Sequence, residues 1–189
     1  MLARLARPIL ALLLILPLSR AFADEYSSTI RIFRNAGESA SFFGNSYGYA
    51  VFPTIGKGGL VVGAAHGSGR VYRQGKYVGD TSMTQLTVGA QLGGQAYRQM
   101  IFFKNKGAFD AFTSGEFEFG AQASAVAITA GASAQAGTSG PAAAASGTQR
   151  HAKTAAKYYK GMAVFTVAKG GLMYEASIGG QKFSYKPKR

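Results

Sequence analysis

Between Tyr47 and Arg73 the chain reads YGYAVFPTIGKGGLVVGAAHGSGRVYR, short apolar runs broken by glycine at positions 48, 56, 58, 59, 63, 67 and 69. An amphipathic helix cannot carry that density of glycine, since each one in a helix interior costs about 1 kcal/mol relative to alanine. Val, Ile, Tyr and Phe between the glycines instead suit short strands meeting at tight turns. The same grammar returns as GMAVFTVAKGGLMYEASIGGQKFSY over Gly161–Tyr185. A β-rich scaffold with basic turns follows.

The N-terminus reads differently. Arg4 and Arg7 precede an apolar stretch, Ile9–Leu18, and Ala21-Phe22-Ala23 has the small-x-small form of a signal-peptidase site. The stretch is short for a membrane span, which needs about 20 apolar residues. Residues 1–23 are therefore read as a cleaved export signal, placing the protein in the periplasm or outside the cell, peripheral to a membrane. The chain has 21 Lys+Arg against 8 Asp+Glu, and loss of Arg4, Arg7 and Arg20 leaves 18 against 8, a net +10. That excess favours polyanionic partners, and in an exported protein nucleic acid is not among the expected ones. With no cysteine, the fold has no disulfide and no lipid anchor of the bacterial lipoprotein type.

Along the remaining chain, Tyr26, Ile30, Phe33, Gly37 and Ala40 share a helical face, predicting an amphipathic helix within Asp24–Gly44. Arg31, Arg34 and Glu38 lie to one side. Such a stripe either packs on the domain's own sheet or lies on an anionic membrane; packing is the favoured reading. Strands are expected at Tyr47–Pro53, Leu60–Ala65, Gly69–Arg73, Thr84–Leu92 and Ala96–Lys104, and at the end over Met162–Tyr185. Asn105 is placed to cap a short helix carrying Phe109 and Phe112 and ended by Gly115. Phe117 and Phe119 share a face with a run of alanines whose small side chains admit another layer at close range. Residues 137–150, rich in Gly, Ser and Ala, read as a mobile loop. The expected class is α+β: strand-dominated, a mostly antiparallel sheet or partly closed barrel, with an N-terminal helix and a short central helix. Residues 24–46 form the helical region and 47–187 the domain.

Catalytic patterns are thin. His66 and His151 have no carboxylate at metal-ligand spacing, and no GxSxG elbow exists. His66 reads as a polar turn residue, and Glu116 and Glu118 as a solvated strand face. The sequence Gly56-Lys57-Gly58-Gly59 lacks the frame of a phosphate loop. Basic turns carry more weight. Lys57, Arg70, Arg73 and Lys76 fall within one twenty-residue window, and Lys182, Lys186, Lys188 and Arg189 make a second group.

The segments GYAVFPTIGKGGLVVG (Gly48–Gly63), VGAQLGGQAYRQMIFF (Val88–Phe103), EFEFG (Glu116–Gly120) and the hairpin KGGLMYEASIGGQKF (Lys169–Phe183) together resemble the SYLF, or Ysc84-type, lipid- and actin-binding family. The resemblance implies a binding domain without catalysis or cofactor, with lipid contact through basic residues and an N-terminal amphipathic helix. The expected partner is an anionic phospholipid surface, met by Lys57, Arg70, Arg73, Lys76, Arg31 and Arg34, with Ile30, Phe33 or Phe43 inserting. The alternative is a protein-interaction or structural module of the envelope. Neither reading fixes an oligomeric state.

Overall fold

A computed structural model describes residues 18–59, 62–88, 94–121, 123–128, 158–169 and 178–189. Residues 1–17 of the expected export signal, the loop at 137–150 and His151 lie outside them. Helix α1 spans Leu18–Asn35 and α2 Phe42–Asn45. Strands β1 (Gly48–Gly59), β2 (Val62–Arg73), β3 (Lys76–Val88) and β4 (Gln95–Phe103) follow, then α3 (Lys106–Thr113). Next come β5 (Glu116–Glu118), β6 (Val126–Ile128), β7 (Met162–Lys169) and β8 (Lys182–Pro187). All eight strands form one open sheet in the order β5-β8-β3-β2-β1-β4-β7-β6. Every pairing is antiparallel except β6 with β7. This is the expected strand-dominated α+β class, with the sheet open.

Gly59 ends β1 and Gly75 turns β2 into β3, both at positive φ, but other glycines do not end strands as expected. β1 and β2 each run twelve residues, and Gly67 and Gly69 sit in the middle of β2, with His66 between strand partners Gly56 and Thr84. His66 is thus a strand residue and not a turn. Pro53 is tolerated in a central strand because a β-bulge falls there, shifting register against both neighbours. The bulge lays the Phe52 ring against Gly69.

Each face of the sheet carries packed elements. On one, Phe33 and Ala36 of the N-terminal segment are fully buried against Val51, Met100, Phe102 and Phe165. The helix therefore packs on its own sheet, as favoured. It ends nine residues before Gly44, and Ala36, not the exposed Gly37, makes the close contact. The reason is the pair Phe42-Phe43. A turn stitched by Ser39 Oγ donating to Phe33 O (2.5 Å) and by Ala40 N to Ala36 O (2.9 Å) redirects the chain. Phe42 then stacks edge-on to Phe165 (5.0 Å) and Phe43 edge-on to Phe102 (4.9 Å). A continued helix would carry both rings away from the sheet.

On the other face α3 packs through Phe109 and Phe112, and Asn105 caps it as expected, its Oδ1 accepting from Ala108 N at 2.9 Å. Beside α3, two further segments pack together. Strands β7 and β8, expected as a hairpin, lie five strand positions apart in the sheet, joined by a connection whose residues 170–177 lie outside the described ones. Its described end, Ile178–Gln181, runs beside Phe119–Ala123, with Phe119 N donating to Gln181 O and Gly180 N to Phe119 O. A Cβ on Gly179 would fall 2.5 Å from the Ala121 carbonyl oxygen. The close approach is made by Gly179 against the Ala121 backbone; of the alanines expected on the Phe117–Phe119 face, Ala123 is buried whereas Ala121 and Ala127 are exposed.

Beneath these segments sits a buried polar knot. Gln99 and Gln181 exchange amide hydrogen bonds (2.8 and 3.1 Å), Gln181 Nε2 also reaches Tyr97 Oη (3.3 Å), and Gln85 Nε2 donates to Gly179 O (2.9 Å). Gln181→Ala strips Gln99 of both its side-chain hydrogen bonds inside an apolar layer, so a loss of about 2 kcal/mol is expected in denaturant unfolding. An unchanged midpoint would show that the knot contributes nothing.

A basic rim as the candidate functional site

The strand alternation decides where the basic residues go. β2 ends, β3 begins, β4 ends, β7 begins and β8 ends at the same edge of the molecule, as the pairings Gly48↔Arg73, Gly48↔Phe103, Arg73↔Lys76, Phe103↔Met162 and Gly79↔Pro187 require. Arg73 and Lys76 face each other there. Lys186, Lys188 and Arg189 follow from β8, with Lys188 N donating to Val78 O at 2.9 Å. Lys104 follows β4 and donates its backbone N–H to Gly161 O (2.8 Å), which sets Lys160 beside it, and Lys106 opens α3. From β8 to β7 is five strand spacings, about 24 Å along a flat sheet. Within that rim Lys106 is neutralised by Asp110 at 2.5 Å, and Asp80 accepts from Tyr77 Oη at 2.7 Å. Burial, then that hydrogen bond, pushes the Tyr77 phenol up to about 12, so it remains a neutral donor. Tyrosines accompany the cations: Lys160 Nζ lies 5.6 Å from the half-exposed Tyr159 ring, and Lys188 Nζ 5.1 Å from Tyr77.

The residues singled out in the sequence divide. Arg73 and Lys76 lie on the rim, and the exposed Arg34 adjoins it, its guanidinium 4.9 Å from the Phe43 ring. Arg31 is exposed on the outer side of α1. Arg70 is held between Tyr26 (4.3 Å) and Tyr77 (5.0 Å), tying α1 to the sheet. Lys57 pairs with Ala65, eight residues up β2 from Arg73. At about 3.4 Å per residue that is roughly 27 Å away, so the four basic positions do not make one patch. Phe33 is fully buried, which removes it from the surface, and Ile30 is partly buried against the same apolar cluster. Lys104, Lys106 and Lys160 escaped the sequence reading although each abuts the end of an apolar strand or the start of a helix.

At the other end of α1, Glu25 accepts from Thr54 Oγ1 (2.8 Å) and from Lys169 Nζ (3.1 Å). Those two bonds, Thr54's first, then the Lys169 and Arg98 charges, hold its carboxyl below the ordinary 4.5. A depressed carboxylate contributes stability that is complete above the ordinary value and lost as pH falls through the folded-state value. Thermal melts should therefore show Glu25→Gln narrowing its deficit against wild type as pH drops below about 4.5. A deficit independent of pH would contradict the tie.

Among the described residues no three His, Asp or Glu side chains gather as a metal-binding group, and no helix is long and apolar enough to cross a membrane. Fold and rim together define a small sheet-based domain with a strongly cationic edge. The chain belongs to the Ysc84 family, whose profile, described as "Las17-binding protein actin regulator", matches residues 84–188. It is also similar to "Beta cell expansion factor A" of Aeromonas veronii, 30% identical over 161 residues, which cover 83% of this chain and 52% of that protein. The chain thus spans about half the length of that relative.

Proposed function

We propose that this protein is a non-catalytic, peripheral membrane-binding domain whose basic rim docks end-on against anionic phospholipid. The observation that carries the reading is the gathering of Arg73, Lys76, Lys104, Lys160, Lys186 and Lys188 along one sheet edge by five separate strands. Each Lys or Arg close to an anionic surface contributes about 1 kcal/mol, so even part of the rim gives reversible adhesion. Tyrosine beside lysine suits the boundary between headgroup and water. In this mode α1 stays on the sheet and contributes Arg34 at its end, without inserting Phe33. Export, proposed from residues 1–23, would present the rim to an envelope surface.

Sedimentation with vesicles of phosphatidylglycerol mixed into phosphatidylcholine tests the reading. Binding should rise with the anionic fraction and fall with salt, because exposed charges are screened beyond about 8 Å at physiological ionic strength. Equal binding to pure phosphatidylcholine would overturn it. The family description names a Las17-binding actin regulator, which favours a second reading: an acidic protein partner on the same rim, seen as capture without lipid.

A further inference from the structure

Where α1 leaves the sheet uncovered, four strands present their outward side chains in register. Glu118, Lys182, Thr84 and His66 form one row across β5, β8, β3 and β2, and Glu116, Ser184, Ser82 and Ser68 the next. A third row, Lys186, Asp80 and Arg70, adjoins the rim. Two cavities of about 520 and 310 Å³ lie along these rows and share Ser82 and Ser184. The Tyr26 ring on α1 walls one end, and Glu116 and Glu118 the other. Both volumes fall in the range of roughly 300–1,000 Å³ typical of small-molecule sites.

The chemistry of this groove differs from that of the rim. Acids, bases and hydroxyls alternate: Glu118 lies 3.7 Å from Lys182, and Ser82 Oγ is 2.7 Å from Ser184 Oγ. A phosphate entering the groove meets Asp80, Glu116 and Glu118. A cation meets Lys182 and Lys186. A neutral ligand dense in hydroxyls meets neither repulsion, since every hydroxyl both donates and accepts. Each carboxylate then accepts hydrogen bonds from two hydroxyls at once, lysines donate to ring and hydroxyl oxygens, and Ser82 and Ser184 complete the set. Neighbours within a row stand about 4.8 Å apart from strand to strand, and successive rows about 6.8 Å apart along the strands, a grid of polar groups on the scale of a sugar ring.

We propose that the groove across β2, β3, β8 and β5 binds a neutral oligosaccharide, at a site that shares Lys186 with the lipid rim. The test is an NMR titration of the full chain with neutral trisaccharides of glucose, galactose, mannose and N-acetylglucosamine. At least one should give saturable shifts at groove residues, with inorganic phosphate giving none there. Glu116→Gln and the double variant Ser82→Ala/Ser184→Ala, checked for unchanged melting, should each weaken that binding about tenfold, as expected for losing one hydrogen bond to a charged group or two between neutral groups. No saturable shift with any trisaccharide up to its solubility overturns the proposal. So does binding that both variants leave unaltered.

Discussion

Gly69→Val is expected to destabilise the domain by about 3 kcal/mol or more, although valine is the better strand former. A Cβ at that position would lie 2.6 and 2.7 Å from the Phe52 ring and 2.8 Å from the Val51 carbonyl oxygen. The ring has no room to retreat, being fully buried and packed 5.7 Å from Phe183. The carbonyl belongs to the bulge that accommodates Pro53. Packing and propensity thus pull in opposite directions, and packing is the larger: strand preferences span about 1 kcal/mol, whereas overpacking a rigid core costs about 1–3 and occasionally more. Gly56→Ala is the control, since nothing lies within 4 Å of a Cβ there; it should be neutral or stabilising by about 0.5 kcal/mol. Urea midpoints decide between the two positions. Equal midpoints for both variants would mean that the Phe52–Gly69 contact is not rigid.

That glycine also shows what the sequence can and cannot tell. Read as punctuation, glycine divided β2 in two. Read by parity, the segment from Gly63 to Val71 carries Gly63, Ala65, Gly67, Gly69 and Val71 on one side, all buried, and Ala64, His66, Ser68 and Arg70 on the other. The alternation of a single long strand was present, and small inward residues signalled close approach, not turns. Local signals transferred well: Asn105 caps α3, and the aromatic stripe of α1 packs inward. Non-local features did not. Nothing in KGGLMYEASIGGQKF marks β7 and β8 as distant, because adjacency in sequence makes a hairpin the natural expectation. The grouping of the basic positions is non-local too. Closeness in sequence joined Lys57 to Arg73, and twelve-residue strands then carried them to opposite ends. Strand lengths and directions, once known, gather Lys104 and Lys160 with Arg73, Lys76 and the C-terminal lysines.

The second large effect concerns that rim. Neutralising Arg73, Lys76, Lys186 and Lys188 together to glutamine removes four charges near the docked surface. At about 1 kcal/mol each this is about 4 kcal/mol, or close to a thousandfold in partition onto anionic vesicles. Little stability should be lost, because all four side chains are exposed, Arg73 and Lys76 flanking the Gln74-Gly75 turn without entering it, and exposed substitutions usually stay within about 0.5 kcal/mol each. Lys57→Gln, on the opposite end of β1, should change partition far less. The contrast separates a directional rim from diffuse attraction by net charge, under which any basic residue would count alike.

The most direct measurement is therefore the partition of wild type, the four-site rim variant and Lys57→Gln onto the same phosphatidylglycerol-containing vesicles at physiological salt. End-on docking requires the rim variant to lose about a thousandfold while Lys57→Gln stays within a few-fold of wild type. Equal losses per charge removed, or a rim variant that binds like wild type, would contradict the rim as the membrane-binding surface.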